Sequence, residues 1–213
     1  MVERFFSGKI TETAGQDAGN FTLLSGPPSC GKTSLLFQFA FNAAVEGHSG
    51  NRDVVFICTR RRLESKPPCL SQGVDPSSDM FQHVQMKYVE DDEAIKKYFA
   101  AFHLHHKFPV AVIIDDFGDF FDERTCQERY NSPRGRDLAM VRTLALCRSA
   151  ILHANLFDMI SELSLTGGDG SGSFLLTNGI NSGSGSSGRT RTAKYSIALQ
   201  YLFLEDVTED DDT

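Results

Sequence analysis

The fold of this chain is decided by the stretch Gly26-Pro27-Pro28-Ser29-Cys30-Gly31-Lys32-Thr33. It satisfies the phosphate-loop pattern G-x-x-x-x-G-K-[ST] at every fixed position. In such a loop the glycines let successive backbone N–H groups turn inward, the lysine reaches the terminal phosphates, and the threonine hydroxyl ligates magnesium. The stretch therefore predicts a site for a nucleoside triphosphate, with ATP and Mg²⁺ as cofactors and Lys32 as the catalytic cation.

The flanks of this stretch favour a phosphate loop over a chance Gly/Pro turn. Residues 21–24 before it are apolar and strand-like, and apolar residues recur at helical spacing after it until Gly47. The helix adds its positive N-terminal dipole to the loop. We therefore predict that the nucleotide is bound by residues 26–33 together with Ser34.

Length and composition are those of a single domain. The chain has 213 residues, of which 40% are hydrophobic, and a formal net charge of −7. Its cysteines form no C-x-x-C pair, which indicates a reducing compartment rather than a disulfide framework or a zinc site. No signal peptide or membrane span is predicted, so we expect no membrane partner and a cytosolic or nuclear location.

Three regions follow from these patterns. Residues 1–20 form an N-terminal segment, residues 21–204 the nucleotide-binding domain, and residues 205–213 an acidic tail. Such a charge run is predicted to be disordered and solvated, although a tail that competes with nucleic acid for a basic surface is an alternative. The Gly/Ser/Asn tract at 179–188 is predicted to be a mobile loop.

Strand and helix patterns alternate along the domain. Apolar runs at 54–59 and 110–114 are typical of buried parallel strands, and Asp91 opens a helix between them. Residues 174–178 form a further strand, and residues 195–203 an edge or hairpin strand, with a helix as the alternative. A long helix from about Asp137 is predicted to bury Leu138, Val141, Leu144, Ala145 and Leu152 on one side. The order predicts an α/β fold with a mostly parallel sheet and helices on both faces.

A second nucleotide motif ends one of these strands. Val112-Ile113-Ile114-Asp115 is an apolar strand that closes on an acid, the arrangement that places a carboxylate near magnesium. Asp115 and Thr33 are therefore the predicted metal-side residues. Asp116 follows directly and either orients water in catalysis or caps the next turn.

Together these motifs resemble RecA-type recombinases and their eukaryotic paralogues, most closely the paralogues that associate with SWIM-domain proteins. The resemblance spans residues 21–203. Besides the two motifs above it includes Thr59-Arg60-Arg61 after the second strand and Leu176-Thr177-Asn178, which is similar to the Thr-Asn strand end of that family. It implies a RecA-like P-loop NTPase core and a nucleotide contact from Asn178.

Two departures from the recombinase pattern bear on hydrolysis. The resemblance implies a glutamate that polarises the attacking water, and Arg60 stands at the matching position. A guanidinium cannot accept a proton at neutral pH. Gly179 replaces the glutamine that follows Thr-Asn. ATP hydrolysis is therefore expected to be slow, or to use Asp116, Glu64 or a partner residue as the base.

Basic residues occupy the two loop positions at which recombinases contact DNA. The predicted contacts with single-stranded DNA are Arg124, Arg129, Arg134, Arg136, Arg189, Arg191 and Lys194. Solubilising loop charge is the competing interpretation, because acidic residues lie among them. The Arg60-Arg61-Arg62 cluster is open to three interpretations: a phosphate-sensing or inter-subunit patch, a DNA contact, or a solvated turn.

The resemblance implies an ATP-binding paralogue in homologous-recombination DNA repair, which assists a recombinase on single-stranded DNA. Its implied partners are a recombinase and a SWIM-type zinc-containing protein, and its expected location is nuclear. A small-molecule P-loop kinase and a nucleotide-independent scaffold of a repair complex are the alternatives. Phe5-Phe6 is either an interface anchor or a packing element.

Overall fold

The computed structural model of the chain describes residues 2–6, 20–47, 51–122, 128–130, 132–153, 159–167, 173–179 and 190–210. Its strands are β1 (Asn20–Ser25), β2 (Val54–Cys58), β3 (Leu70–Ser71), β4 (Val84–Tyr88), β5 (Ala111–Ile114), β6 (Met159–Gly167), β7 (Ser173–Gly179), β8 (Thr190–Ala198) and β9 (Tyr201–Asp210). Its α-helices are α1 (Lys32–Glu46), α2 (Arg60–Ser65), α3 (Asp92–Ala100) and α4 (Pro133–His153). Within these ranges no helix has the length and apolar character needed to cross a membrane.

A three-stranded parallel sheet carries helices on both faces. Its order is β4-β2-β5, and every residue of the central strand β2 is buried. Val55 and Ile57 pack in one apolar cluster with α3 and α4, while Val54 and Phe56 pack with α1 on the other face. This double burial explains the continuous apolar run of β2. The predicted α/β fold with helices on both sides of parallel strands is confirmed.

A second sheet has six strands in the order β1-β6-β7-β8-β9-β3. The β1–β6 and β3–β9 pairs are parallel, but β6, β7, β8 and β9 form an antiparallel meander. The segment at 195–203, predicted as an edge or hairpin strand, contains the turn of the β8–β9 hairpin, because Leu199 and Gln200 both adopt positive φ and reverse the chain. The hairpin alternative is confirmed, and the helix is excluded.

The acidic segment is ordered as far as Asp210, so the predicted disordered tail is wrong for residues 205–210. These residues belong to β9 and pair with β8, which places Lys194 opposite Asp206. Glu205 accepts a hydrogen bond from the Ser173 hydroxyl at 2.9 Å and pairs with Lys194 at 3.3 Å. Cross-strand cations and hydroxyls thus offset the repulsion that the composition suggested. Residues 211–213 and the predicted loop at 180–188 lie outside the described residues.

The N-terminal segment packs against its own chain. Phe5 stacks on Phe39 of α1 with ring centroids 5.1 Å apart, and Phe6 lies 5.6 Å from Tyr195 of β8. Both phenylalanines are almost fully buried. Of the two interpretations of Phe5-Phe6, the described contacts therefore correspond to packing within the domain.

Helix α4 turns a different side to the core from the one predicted. Its fully buried residues are Ala139, Thr143 and Cys147, whereas Leu138 and Val141 are 48% and 61% exposed. The small side chains allow close approach to α3, whose Ile95 and Phe99, together with Phe102 just beyond it, supply the bulk of this cluster. Because apolar residues lie on two sides of the helix, periodicity alone could not identify the buried one.

Candidate nucleotide site

The loop between β1 and α1 has the backbone that the phosphate-loop pattern requires. Gly31 precedes α1 with a φ of 84°, and Ser29 has a φ of 62°. A Cβ on Gly31 would lie 2.4 Å from the Ile197 side chain, and one on Gly26 would lie 2.5 Å from the Leu165 Cβ. Space thus requires glycine at position 26, whereas the left-handed conformation favours it at position 31, where the close atom is the movable Cδ1 of Ile197.

A strand of the antiparallel meander, β8, contacts this loop. Tyr195 of β8 donates a hydrogen bond from its hydroxyl to the Cys30 carbonyl at 2.6 Å, and the pair is buried. Burial raises the pKa of Tyr195, with the neighbouring Cys30 as a second cause, so the hydroxyl stays a donor. The antiparallel strands β8 and β9 therefore hold the loop in position, a role that the sequence did not reveal.

The Lys32 ammonium lies over the mouth of the loop. It donates to the carbonyl oxygens of Gly26 at 3.0 Å and Pro27 at 2.8 Å. These are exposed hydrogen bonds between a strong cation and neutral acceptors. A phosphate oxygen carries more negative charge than a carbonyl, so it would compete well for the same ammonium. The geometry fits the predicted role of Lys32.

Thr33 of α1 and Asp115, which directly follows β5, meet in one pocket. The Thr33 hydroxyl donates to the Asp115 carboxylate at 3.2 Å, although the two residues are far apart in sequence. Burial and the adjacent Asp116 raise the pKa of Asp115 to about 6, against the opposing effects of the Thr33 hydrogen bond and Arg62. A hydroxyl beside a buried carboxylate is an oxygen donor set that Mg²⁺ prefers. These two residues are therefore suited to hold the metal.

A pocket of about 280 Å³ joins these groups. Of the predicted nucleotide-site residues, its lining includes Pro28, Ser29, Gly31, Lys32, Thr33, Ser34, Asp115 and Asp116. It also includes a set that sequence reasoning did not assign to the site, namely Cys58, Thr59, Arg62, Leu63, Lys66, Pro67 and Pro68. The predicted site and the segment after β2 thus form one cavity.

The predicted nucleotide contact Asn178 stands on β7. It pairs with Leu163 of β6, which in turn pairs with Leu24 of β1, one residue before the end of that strand. The backbone of Asn178 is thus two strands away from β1, at the level where the phosphate loop begins. Its contact with the nucleotide stays a prediction.

Arg60 and Arg62, in the segment after β2, have different surroundings. The Arg60 guanidinium stacks over the Tyr88 ring, 4.4 Å from its centroid, and pairs with exposed Glu64 at 3.9 Å. Neither Arg60 nor Glu64 lines the pocket, whereas Arg62 does. Arg62 places its Nε 2.9 Å from the Asp116 carboxylate. Asp116 begins a 3-10 turn with a φ of 51°, but its side chain does not cap that turn.

A buried polar row on α1 fastens this segment to the loop helix. Ser34 accepts a hydrogen bond from the Cys69 N–H at 2.9 Å, and Gln38 accepts one from the Ser71 N–H at 3.0 Å. Gln38 also donates to Asn42 at 3.0 Å. Ser34 therefore has a structural role within the predicted site. Polar residues at i, i+4 and i+8 in an apolar helix were the available sequence signal.

The predicted DNA-contacting residues fall on separate elements, and several are engaged in ion pairs. Arg129 contacts Asp92 at 3.1 Å and Glu93 at 3.0 Å. Arg136 pairs with Asp122, and Lys194 pairs with Glu205 of β9. Arg134 is exposed in the first turn of α4, and Arg191 lies on β8. Arg124 and Arg189 lie outside the described residues.

Comparisons with known proteins give a limited result. No protein-family profile matches the chain, and no curated protein matches it. Among solved structures it is similar to one described as the crystal structure of the RadB recombinase, with 12% sequence identity and a TM-score of 0.49. That match covers 86% of this chain and 89% of the other.

Proposed function

We propose that this chain is a RecA-like, ATP-binding recombination paralogue that acts in homologous-recombination DNA repair. It works in a complex with a SWIM-type zinc-containing protein and a recombinase on single-stranded DNA in the nucleus. The observation that carries the nucleotide part is the Thr33–Asp115 hydrogen bond of 3.2 Å, which brings the end of β5 to the phosphate loop. The DNA-repair part rests on the resemblance of the motifs.

Within this site each residue has a defined task. Lys32 and the loop N–H groups would bind the phosphates, and Thr33 and Asp115 would hold magnesium, which would supply positive charge against the phosphates. The pocket lies between the loop, the end of β2 and the end of β5, so the phosphates are oriented by three separate elements. Such a site suits binding of a nucleoside triphosphate.

Slow hydrolysis follows from the placement of the acids. The carboxylates that line the pocket are Asp115, which faces Thr33, and Asp116, which pairs with Arg62. Arg60 stacks on Tyr88 and adds no proton acceptor. Asp115 is engaged with Thr33 on the metal side and Asp116 with Arg62, so neither carboxylate is free to orient an attacking water. ATP is therefore expected to act chiefly as a structural ligand, with faster turnover only when a partner supplies a base.

Equilibrium binding of a fluorescent ATP analogue with Mg²⁺ tests the nucleotide part. Lys32→Ala should weaken binding at least about tenfold, while Lys97→Ala on the exposed side of α3 should leave it unchanged. ATP turnover is then measured with and without single-stranded DNA. Lys32-dependent binding with slow turnover supports the proposal. Absence of binding would favour the scaffold, and phosphoryl transfer to a nucleoside acceptor would favour the kinase.

The repair part needs its own test, because nucleotide binding is shared by many P-loop proteins. Affinity purification of the full chain with a recombinase and a SWIM-domain protein, followed by binding to single-stranded DNA, measures the implied complex directly. Salt-sensitive binding of the complex to single strands is expected. If the purified partners neither bind the chain nor change its affinity for DNA, the recombination role is refuted while the nucleotide site stands.

A further inference from the structure

Arg62 is one of two described pocket cations, with Lys66, that the nucleotide motifs do not account for. It lies on α2, within the pocket lining, and its side chain is about half exposed. Its Nε contacts the Asp116 carboxylate at 2.9 Å, and its Nη1 contacts the carboxylate of Asp119. The two acids stand on the 3-10 turn that directly follows β5. The guanidinium is thus held by two carboxylates that follow Asp115, the residue suited to bind the metal.

These two ion pairs leave N–H donors of the Arg62 guanidinium unused. Its planar fork carries more N–H donors than two carboxylate contacts use, and it stays charged at every physiological pH. The contacts engage Nε and Nη1. Because the same side chain lines the pocket that contains Lys32 and Thr33, its remaining donors are available to an anion bound there. Planar, doubly anchored arginine is well suited to phosphate oxygens.

We propose that Arg62 contacts the terminal phosphate of the bound nucleotide, and that Asp116 and Asp119 orient it for this contact. The inference rests on the proposed nucleotide site. It gives the pocket a preference for nucleoside triphosphate over diphosphate, because only the triphosphate carries the group that Arg62 reaches. Asp116 is then a positioning residue for the guanidinium rather than the general base.

The neighbouring basic residues support this assignment by contrast. Arg60 is stacked on Tyr88, and exposed Arg61 does not line the pocket. Lys66, at the C-terminal end of α2, lines the pocket and adds a second cation on the same segment. Of the three interpretations of the arginine cluster, the phosphate-sensing one applies to Arg62 alone.

The connection that follows α2 is hydrogen-bonded to α1. In it, Cys69 and Ser71 donate their backbone N–H groups to Ser34 and Gln38 of α1. Those acceptors lie on the helix that begins with Lys32. The connection that follows the arginine-bearing helix is therefore tied to the phosphate-loop helix by two hydrogen bonds, of which the one from Ser71 is buried.

The test is a pair of affinities measured by calorimetry on the full chain with Mg²⁺, one for ADP and one for the non-hydrolysable triphosphate adenylyl imidodiphosphate. Arg62→Ala should weaken triphosphate binding about tenfold or more and leave ADP binding within about twofold. Arg61→Ala is the matched control and should change neither affinity. Asp119→Asn should reproduce part of the loss, and adding it to Arg62→Ala should cause no further loss.

Each result decides a different question. If Arg62→Ala changes both affinities equally or neither, the terminal-phosphate contact is refuted. If Asp119→Asn changes neither affinity while Arg62→Ala acts as expected, the orienting role of Asp119 is refuted and the contact stands. If the wild-type chain binds neither nucleotide, the proposed function itself fails. Should Arg62→Ala not fold, the exposed Asp119→Asn variant carries the same comparison of the two affinities.

Discussion

Replacing Asp115 by Asn should stabilise the chain while removing its metal site. Burial is the largest cause that raises the pKa of Asp115 from 3.8 to about 6 in the folded chain, so at neutral pH folding must keep a charged carboxylate out of water. Asn has the same shape without the charge and can still accept the Thr33 hydrogen bond. The substitution therefore removes an unfavourable term from the folded state.

The magnitude and sign follow from proton linkage. A folded pKa above the unfolded one means that the folded chain binds the proton more tightly, so Asp115 lowers stability as the pH rises from 3.8 to about 6. At about 1.4 kcal/mol per pKa unit, the whole effect is about 3 kcal/mol above that window. Asp115→Asn should thus raise the unfolding free energy by about 3 kcal/mol at pH 8 and by nothing below pH 3.8.

Urea denaturation of wild type and variant from pH 4 to pH 8, without nucleotide, measures this difference directly. Asp137→Asn on the exposed side of α4 is the control and should stay within about 0.5 kcal/mol of wild type throughout. A difference that does not change with pH, or a destabilised Asp115→Asn at pH 8, would refute the reasoning. With saturating Mg²⁺ and nucleotide the order should reverse, because only the wild type gains the metal-dependent binding energy.

Two further substitutions test the support of the loop. Tyr195→Phe leaves the buried Cys30 carbonyl without its donor and should lower the unfolding free energy by about 1 to 2 kcal/mol, whereas Tyr201→Phe at an exposed position should change it little. A Cβ on Gly26 would lie 2.5 Å from the Leu165 Cβ and 3.1 Å from the Leu165 carbonyl oxygen, whereas a Cβ on Gly73, which has a positive φ, meets no atom within 4 Å. In thermal denaturation Gly73→Ala should cost about 1 kcal/mol for its backbone conformation, and Gly26→Ala about 2 kcal/mol for its clash, together with loss of nucleotide binding. A Gly26→Ala variant as stable as the wild type would contradict the steric argument.

The candidate site shows why part of it was accessible from the sequence. The loop pattern and the apolar strand before Asp115 are local, and each residue type is demanded by one chemical task. Arg62 and Lys66 carry no such signature, because a short basic run is compatible with a solvated turn. What assigns Arg62 to the pocket is its ion pair with Asp116, which lies at the start of the turn after β5, far away in the sequence.

The direction of β7 illustrates a second limit. The apolar pattern at 174–178 predicts a strand in a mostly parallel sheet, yet β7 is antiparallel to its neighbour β6. Hydrophobic pattern predicts that a strand exists but not the direction in which it enters a sheet. The same limit applies to α4, whose apolar residues on two sides left the buried face undecided.

By itself, the sequence determined the phosphate loop, the acid at the end of β5 and the α/β alternation, because these depend on local spacing and on residue types with few substitutes. Only the tertiary structure decided that β9 orders the acidic segment, that Tyr195 holds the loop, and that Arg62 faces the pocket while Arg60 stacks on Tyr88. Each of these rests on contacts between residues distant in the chain. Such contacts depend on strand order and register, which local patterns do not encode.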